Sequence, residues 1–251
     1  MKLLFKKMIN ESLAYLDLEV VRKKPSMPVE ANEFEKSLIS ECARYSMTGN
    51  IRMWSLMQAM KHIHNNSIKG DVVECGVWKG GNLGLMRRFM DHKEMMASVI
   101  GFDTFEGMSE PTSHDEDIYG NVAKNDMQKA VKDETINNFH AFASIDQVRN
   151  NLKNLGAEKG VVLAKGKVED TLSIKSNIPK KIALLRLDTD WYESTMAELN
   201  HLYPRLVSGG VLIIDDYGHF KGAKKAVDEY FMNQSIWMHY VDYTCRLIVK
   251  P

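Results

Sequence analysis

The sequence lacks any apolar run of the roughly 20 residues that a membrane-spanning helix needs. It also lacks an excess of either charge: 33 basic and 33 acidic side chains give a net charge of +0. The first absence excludes a helical membrane span. The second removes any electrostatic pull toward nucleic acid or anionic lipid. Only three cysteines occur, Cys42, Cys75 and Cys245, and none has the short spacing of metal ligands. Three isolated thiols point to reduced cysteines in a cytoplasmic protein rather than to a disulfide framework. There is no internal repeat and no low-complexity tract. The basic opening Met1–Ile9 is too short and too interrupted for a signal peptide, and is expected to pack on its own domain.

What is present is enough apolar residue for a sizeable core, 44% of 251 residues, in a changing pattern. The first 24 residues look helical and end at Pro25-Ser26-Met27-Pro28, where two prolines mark a linker. Helical patterns follow at Glu30–Ala43 and Asn50–His64. From Gly70 onward strands alternate with helices. Strands are expected at Asp71–Cys75, Ser98–Phe102, Gly160–Ala164, Ile182–Leu187, Gly210–Ile214, Trp237–Val241 and Cys245–Val249. Helices are expected at Asn82–His92, Ile145–Leu155, Glu193–Leu206 and Lys221–Asn233. The fold class is therefore α/β: a doubly wound, seven-stranded, mostly parallel sheet with N-terminal helices. Only Asp242-Tyr243-Thr244 separates the last two strands, too short for a crossover, so they form an antiparallel hairpin. Residues 1–69 are expected as an N-terminal helical segment serving as lid or oligomer contact, and 70–251 as the main domain. The polar stretch Ser109–Asn138 interrupts the second crossover and reads as a lid, a substrate loop or a surface insertion.

Two expected strands end in acids. One closes Leu184-Leu185-Arg186-Leu187-Asp188-Thr189-Asp190 and the other Val211-Leu212-Ile213-Ile214-Asp215-Asp216. Ligands bind at the carboxyl ends of strands in open parallel sheets, and adjacent strands would bring these carboxylates to one rim. Unpaired buried carboxylates repel one another, so the cluster implies a bound cation. Hard oxygen donors suit Mg²⁺, Mn²⁺ or Ca²⁺ better than zinc. Helix capping is the competing reading, adequate for one Asp per strand but strained for all of them.

The first strand runs Val72-Val73-Glu74-Cys75-Gly76-Val77-Trp78-Lys79-Gly80-Gly81-Asn82 into a helix. Glycines at such a turn let the backbone approach a ligand. The spacing is not the G-x-G-x-x-G of nicotinamide proteins. An acid inside the strand before the first glycine suits S-adenosylmethionine, which has no pyrophosphate; a plain tight turn is the alternative. The second strand ends Gly101-Phe102-Asp103-Thr104-Phe105. Asp103 is placed to take both ribose hydroxyls or to cap the next helix, and Phe105 to flank the adenine.

A mostly parallel sheet closed by a terminal antiparallel hairpin is the Rossmann-like arrangement of class I methyltransferases. The motifs V-V-E-C-G-V-W-K-G-G-N, G-F-D-T-F-E-G-M, L-R-L-D-T-D-W-Y-E-S-T and S-G-G-V-L-I-I-D-D-Y-G resemble those of the macrocin O-methyltransferase (TylF/MycF-like) family. The resemblance covers roughly Tyr45 to Tyr230. It implies S-adenosylmethionine as donor, dependence on Mg²⁺ (or Mn²⁺), and O-methylation of sugar hydroxyls. Carried over by position, Asp188, Asp215 and Asp216 would hold the metal, with Asp190 as runner-up. Glu74, Gly76, Gly80, Gly81 and Asp103 match cofactor positions, and Trp78, Thr104 and Phe105 complete the expected cofactor contacts. Thr189 replaces the family's usual Gly, and Trp191 its usual Leu or Met, a change that would reshape the acceptor pocket.

The expected activity is S-adenosylmethionine- and metal-dependent O-methyl transfer to a sugar or glycosylated small molecule, with no nucleic acid or membrane partner and room for a homo-oligomer. His219 and His140 are the candidate general bases, with Lys221 behind them. Rival readings are a catechol-type phenol methyltransferase, an NAD-dependent oxidoreductase and a non-catalytic interaction protein.

Overall fold

The computed structural model describes residues 27–125 and 141–251. The helix expected over the first 24 residues and the candidate base His140 lie outside them. Seven strands form one sheet: β1 (Asp71–Cys75), β2 (Val99–Asp103), β3 (Val161–Lys165), β4 (Ile182–Leu187), β5 (Leu206–Ile214), β6 (Met238–Tyr240) and β7 (Arg246–Val249). Their order is β3-β2-β1-β4-β5-β7-β6. Strands β1 to β5 pair in parallel, and β7 runs antiparallel to both β5 and β6. The doubly wound sheet and its terminal hairpin are thus as the sequence pattern predicts. Strand order reverses between β1 and β4, the switch point where a crevice opens at the carboxyl ends.

Alternation along each strand feeds two cores. Val72, Leu184, Val211 and Ile213 pack with helices α1 (Glu33–Cys42), α2 (Asn50–Asn65), α3 (Gly81–His92) and α4 (Ile145–Asn154). Val73, Cys75, Leu185, Leu187, Leu212 and Ile214 pack on the other face with the short α5 (Val168–Thr171), α6 (Tyr192–His201) and α7 (Lys221–Phe231). Both sheet faces are therefore covered, which is why the strands read as near-continuous apolar runs. Among the described residues, no helix is long and apolar enough to cross a membrane.

Several boundaries move for local reasons. Helix α1 begins at Glu33, not Glu30, because Asn32 caps it. The Asn32 side chain accepts from Glu35 N and the Glu35 carboxylate accepts from Asn32 N, each at 2.9 Å, a reciprocal cap spelled Asn-x-x-Glu. The helix expected to reach Leu206 ends at His201. Pro204 then sits in a 3₁₀ turn, Tyr203–Arg205, and has no N–H to continue an α-helix. Strand β5 starts at once, four residues ahead of Gly210.

Cys42, Cys75 and Cys245 are free and buried. Burial pushes the Cys42 thiol up to about 12 and the other two above their ordinary value, so the reactive thiolate is scarce at neutral pH. The native protein is expected to give no rapid reaction with a disulfide-exchange reagent at pH 8, and the denatured protein three equivalents. A fast-reacting thiol in the native protein would contradict this packing.

Candidate active site

The site grows out of strand register. Glu74 on β1 stands beside Arg186 on β4, and Arg186 beside Ile213 on β5. Side chains two residues apart on a strand share a face. Asp188 therefore follows Arg186, and Asp215 follows Ile213, on the face that looks toward α2. The result is a fully buried guanidinium among carboxylates from three strands. Arg186 Nη1 donates to Glu74 Oε1 at 2.8 Å and to Asp188 Oδ2 at 2.6 Å. Its Nη2 donates to Asp215 Oδ1 at 2.7 Å and to Thr48 Oγ1 at 3.0 Å. Burial works against the Arg186 charge, but Asp188, Asp215 and Glu74 outweigh it and hold the group well above its ordinary range. From α2, Arg52 adds a second guanidinium against the other oxygen of Asp215.

These cations revise the sequence expectation that the carboxylates lack any protein partner, but they do not neutralise the rim. Among the described residues, Glu74, Asp188, Asp190, Asp215 and Asp216 face two cations there, Arg186 and Arg52. Burial pushes Glu74 up to about 7, with Arg186 pulling it back. Burial also raises Asp190 to about 6 and Asp188 and Asp216 well above the usual carboxylate range. The Asp190 and Asp216 carboxyls lie within hydrogen-bonding reach of each other, an arrangement that needs a shared proton or a cation. Asp188, Asp215 and Asp216 each offer an oxygen within 4.8 Å of the others. Hard oxygen donors carrying surplus negative charge fit a divalent cation of the Mg²⁺ type.

Above this rim opens a cleft of about 230 Å³. Its walls come from Ser46–Thr48 and Arg52, the turn Gly76–Trp78 with Asn82, the segment after β2 (Asp103, Thr104 and Gly107–Ser109), Gly166–Glu169 after β3, and the acidic rim itself. Gly76 takes φ +83°, and a Cβ there would meet Asp188 O at 1.9 Å. The glycine is required by the close approach of β4, so a bulkier residue would displace both strand ends. Trp78, Phe105 and Asp190 take positive φ without being glycine, a local strain that collects around binding sites. Asp103 holds the first turn in shape: its Oδ2 accepts from Val77 N at 2.7 Å and Trp78 N at 3.0 Å, and its Oδ1 from Phe105 N at 2.7 Å.

Of the expected cofactor contacts, Gly76, Trp78, Asp103 and Thr104 line the cleft, whereas four do not. Glu74 lies beneath the floor, bound to Arg186, though its Oε2 has no hydrogen-bond partner among the described residues. Gly80 takes the left-handed φ of +88° at the cap of α3, against Val148, and Gly81 abuts Cys42 O and Tyr45 O, so a left-handed turn accounts for the first glycine and close packing for the second. Phe105 is only 2% exposed and belongs to the core. His219 is also away from the cleft lining, its ring edge-on to Phe220 and Tyr243. Lys221 is turned to Glu116 at 2.9 Å. Arg186, Arg52 and Thr48 were the residues sequence reasoning missed. The signal was there: a lone Arg in a Leu-rich strand and a lone Glu in a Val-rich one.

Removing one partner of a buried ion network leaves unpaired charge and costs about 3–5 kcal/mol. Arg186→Met is therefore expected to lower unfolding stability by about that amount in guanidinium titrations. Arg186→Lys should fall in between, since an ammonium cannot span four acceptors. Wild-type stability in Arg186→Met would show that the carboxylates do not depend on this cation.

Known proteins place these features. The profile described as Macrocin-O-methyltransferase (TylF) matches residues 7–248. Demethyldecarbamoylnovobiocin O-methyltransferase of Streptomyces niveus is 33% identical over 188 residues, 74% of this chain and 67% of that protein. Mycinamicin III 3''-O-methyltransferase of Micromonospora griseorubida is 29% identical over 188 residues, 74% and 70% of the two chains. The solved structure of the O-methyltransferase NovP superposes with a TM-score of 0.71 at 28% identity, covering 82% of each chain. Calicheamicin methyltransferase CalS11, at 16% identity and a TM-score of 0.60 over 92% of this chain and 99% of that one, shares the fold. With the sheet order that of the matched fold, the chain belongs to the macrocin O-methyltransferase (TylF) family and is an S-adenosylmethionine-dependent O-methyltransferase.

Proposed function

We propose that the protein transfers the methyl group of S-adenosylmethionine to a hydroxyl of a sugar or glycosylated small molecule, with Mg²⁺ or Mn²⁺ held by Asp188, Asp215 and Asp216. The observation that carries this reading is the surplus of carboxylate on the rim of a cleft that also presents the glycine turn. A further relative, 33% identical over 191 residues, is the 8-demethyl-8-(2,3-dimethoxy-alpha-L-rhamnosyl)-tetracenomycin-C 4'-O-methyltransferase of Streptomyces olivaceus, and a rhamnosyl-bearing substrate there supports a glycoside over a catechol here. The family membership disfavours the nicotinamide reading.

In the reaction the C–S bond of the sulfonium breaks as a C–O bond forms to the acceptor, whose proton must leave. The donor's adenosine is received between the Gly76–Trp78 turn and the Asp103–Thr104 strand end. Asp103 already holds that turn through three backbone N–H groups, and the one acceptor site left on its Oδ1 is available to a ribose hydroxyl. Thr48 and Arg52 line the cleft beside the rim, and Arg186 fixes the directions of Asp188 and Asp215, so the acceptor side is pre-arranged. A divalent cation bound there would lower the acceptor hydroxyl's pKa and orient it. Neither His219 nor Lys221 lines the cleft, so neither supports the role of base, and His140 lies outside the described residues. Unpaired, buried thiols support a reducing cytoplasm.

The test is release of S-adenosylhomocysteine across a panel of neutral glycosides and dihydroxyphenyl compounds, with and without chelator. Turnover of at least one glycoside, lost in chelator and restored by Mg²⁺, is expected; turnover confined to the phenols would overturn the acceptor assignment. Asp188→Ala and Asp216→Ala are each expected to lower kcat on the order of 100-fold or more, as loss of transition-state electrostatic stabilisation does. S-adenosylhomocysteine affinity, read by calorimetry, should stay within a few-fold because those residues serve the acceptor side. Full activity of either variant in excess chelator would reduce the aspartates to helix caps.

A further inference from the structure

Trp191 leaves the chain immediately after the acidic rim yet points away from it. It is 2% exposed, its ring meets Phe220 edge-on at a centroid distance of 5.2 Å, and its indole Nε1 donates to Ser109 O at 2.9 Å. Ser109 belongs to the segment after β2 that lines the cleft from Gly107 to Ser109. The rim is itself turned tightly at this point: Trp191 N donates to Thr189 O at 2.8 Å, and Asp190 takes φ +67°. One side chain therefore links the rim-bearing segment to the segment after β2, both of which line the cleft.

A second fastening lies further along the same segment. Asp115 is fully buried. Its Oδ1 accepts from Tyr192 N at 2.8 Å, the first residue of α6, and its Oδ2 accepts from Thr112 N and Thr112 Oγ1 at 2.6 and 2.9 Å. An anion at a helix N-terminus is favourably placed. A Cβ on Gly222 would come within 2.0 Å of Asp115 Oδ1, so α7 also leaves no slack there. The segment is thus anchored at Asp115 and tied to the rim by Trp191.

We propose that Trp191 is a positioning residue that sets acceptor specificity: by holding Ser109 O it fixes the spacing between the carboxylate rim and the Gly107–Ser109 wall, and so the bulk admitted beside the reacting hydroxyl. The specificity part rests on the glycoside reading above; the tie between the walls does not.

Trp191→Phe removes the indole N–H and keeps an aromatic ring against Phe220. Loss of one buried hydrogen bond is worth about a tenfold change in an equilibrium constant. Amide exchange across residues 107–117 is therefore expected to quicken by about that factor in Trp191→Phe, with S-adenosylhomocysteine affinity unchanged. On the glycoside panel, KM for the best wild-type acceptor should rise about tenfold with kcat within twofold. The kcat/KM ratio between it and a bulkier analogue should fall at least about fivefold. Asp115→Asn serves as the second variant, loosening the far anchor while leaving the indole bond in place. It should quicken exchange at residues 112–117 and leave the acceptor ratio near the wild-type value. Exchange at residues 107–117 as slow in Trp191→Phe as in the wild type would overturn the tie whether or not any glycoside is methylated. Faster exchange with an unchanged acceptor ratio, or an equal loss of kcat and S-adenosylhomocysteine affinity, would overturn the specificity role.

Discussion

The buried guanidinium of Arg186 is the constraint around which the functional end of the molecule is arranged. A charge in the middle strand of a covered sheet is tolerable only when its donors are matched, and here four acceptors from β1, β4, β5 and the turn before α2 match them. The same interaction sets the directions of two rim carboxylates and brings the N-terminal helices onto the sheet through Thr48. Structural and functional demands coincide in one side chain. The network also explains why so many acids can stand together. Two guanidiniums meet part of the charge, and what remains unmatched at Asp188, Asp190 and Asp216 is of the sign and hardness that attracts a divalent cation.

Backbone geometry at the switch point follows from a second constraint, close approach. The carboxyl ends of β1 and β4 come together so tightly at Gly76 that only hydrogen fits beside Asp188 O. The chain then has to turn sharply, and it does so with Trp78 at positive φ, held by two N–H bonds to Asp103. A strand-end acid that a ligand would use is thus first a brace for the loop that the ligand would touch. Strain of this kind persists only where surrounding contacts over-determine it, and the buried neighbours of this turn supply them.

Donor and acceptor sides differ in how they are built. The donor side uses strand ends and one turn, elements set by sheet register. The acceptor side adds the segment after β2, which has little regular structure and is fastened by the side chains of Asp115 and Trp191 and by backbone pairing of Glu116 and Asp117 with the start of α7. Loops positioned on a rigid scaffold are where specificity varies most readily among proteins of one fold.

Strand and helix alternation, the closing hairpin and the acids ending β4 and β5 were legible in the sequence, because apolar periodicity and a three-residue connection are local facts. The cap of α1 and the break at Pro204 were equally local, written as Asn-x-x-Glu and as a proline inside a helical pattern. The motif glycines were legible as glycines but not as to purpose: Gly76 answers to β4 and Gly81 to the end of α1, contacts made by residues far along the chain, while Gly80 supplies the left-handed turn that starts α3. The pairing of Glu74 with Arg186 spans 112 positions and exists only because β1 and β4 are neighbours in a sheet whose order differs from chain order. His219 stands four residues beyond Asp215 and still misses the cleft, since the turn between them carries its ring against Phe220 and Tyr243. By itself the sequence determined which elements form and which acids end them, through patterns a few residues long. Only the tertiary structure decided which charges meet and which glycines and aromatics face the cleft, because those depend on strand order and on side-chain direction across distant segments.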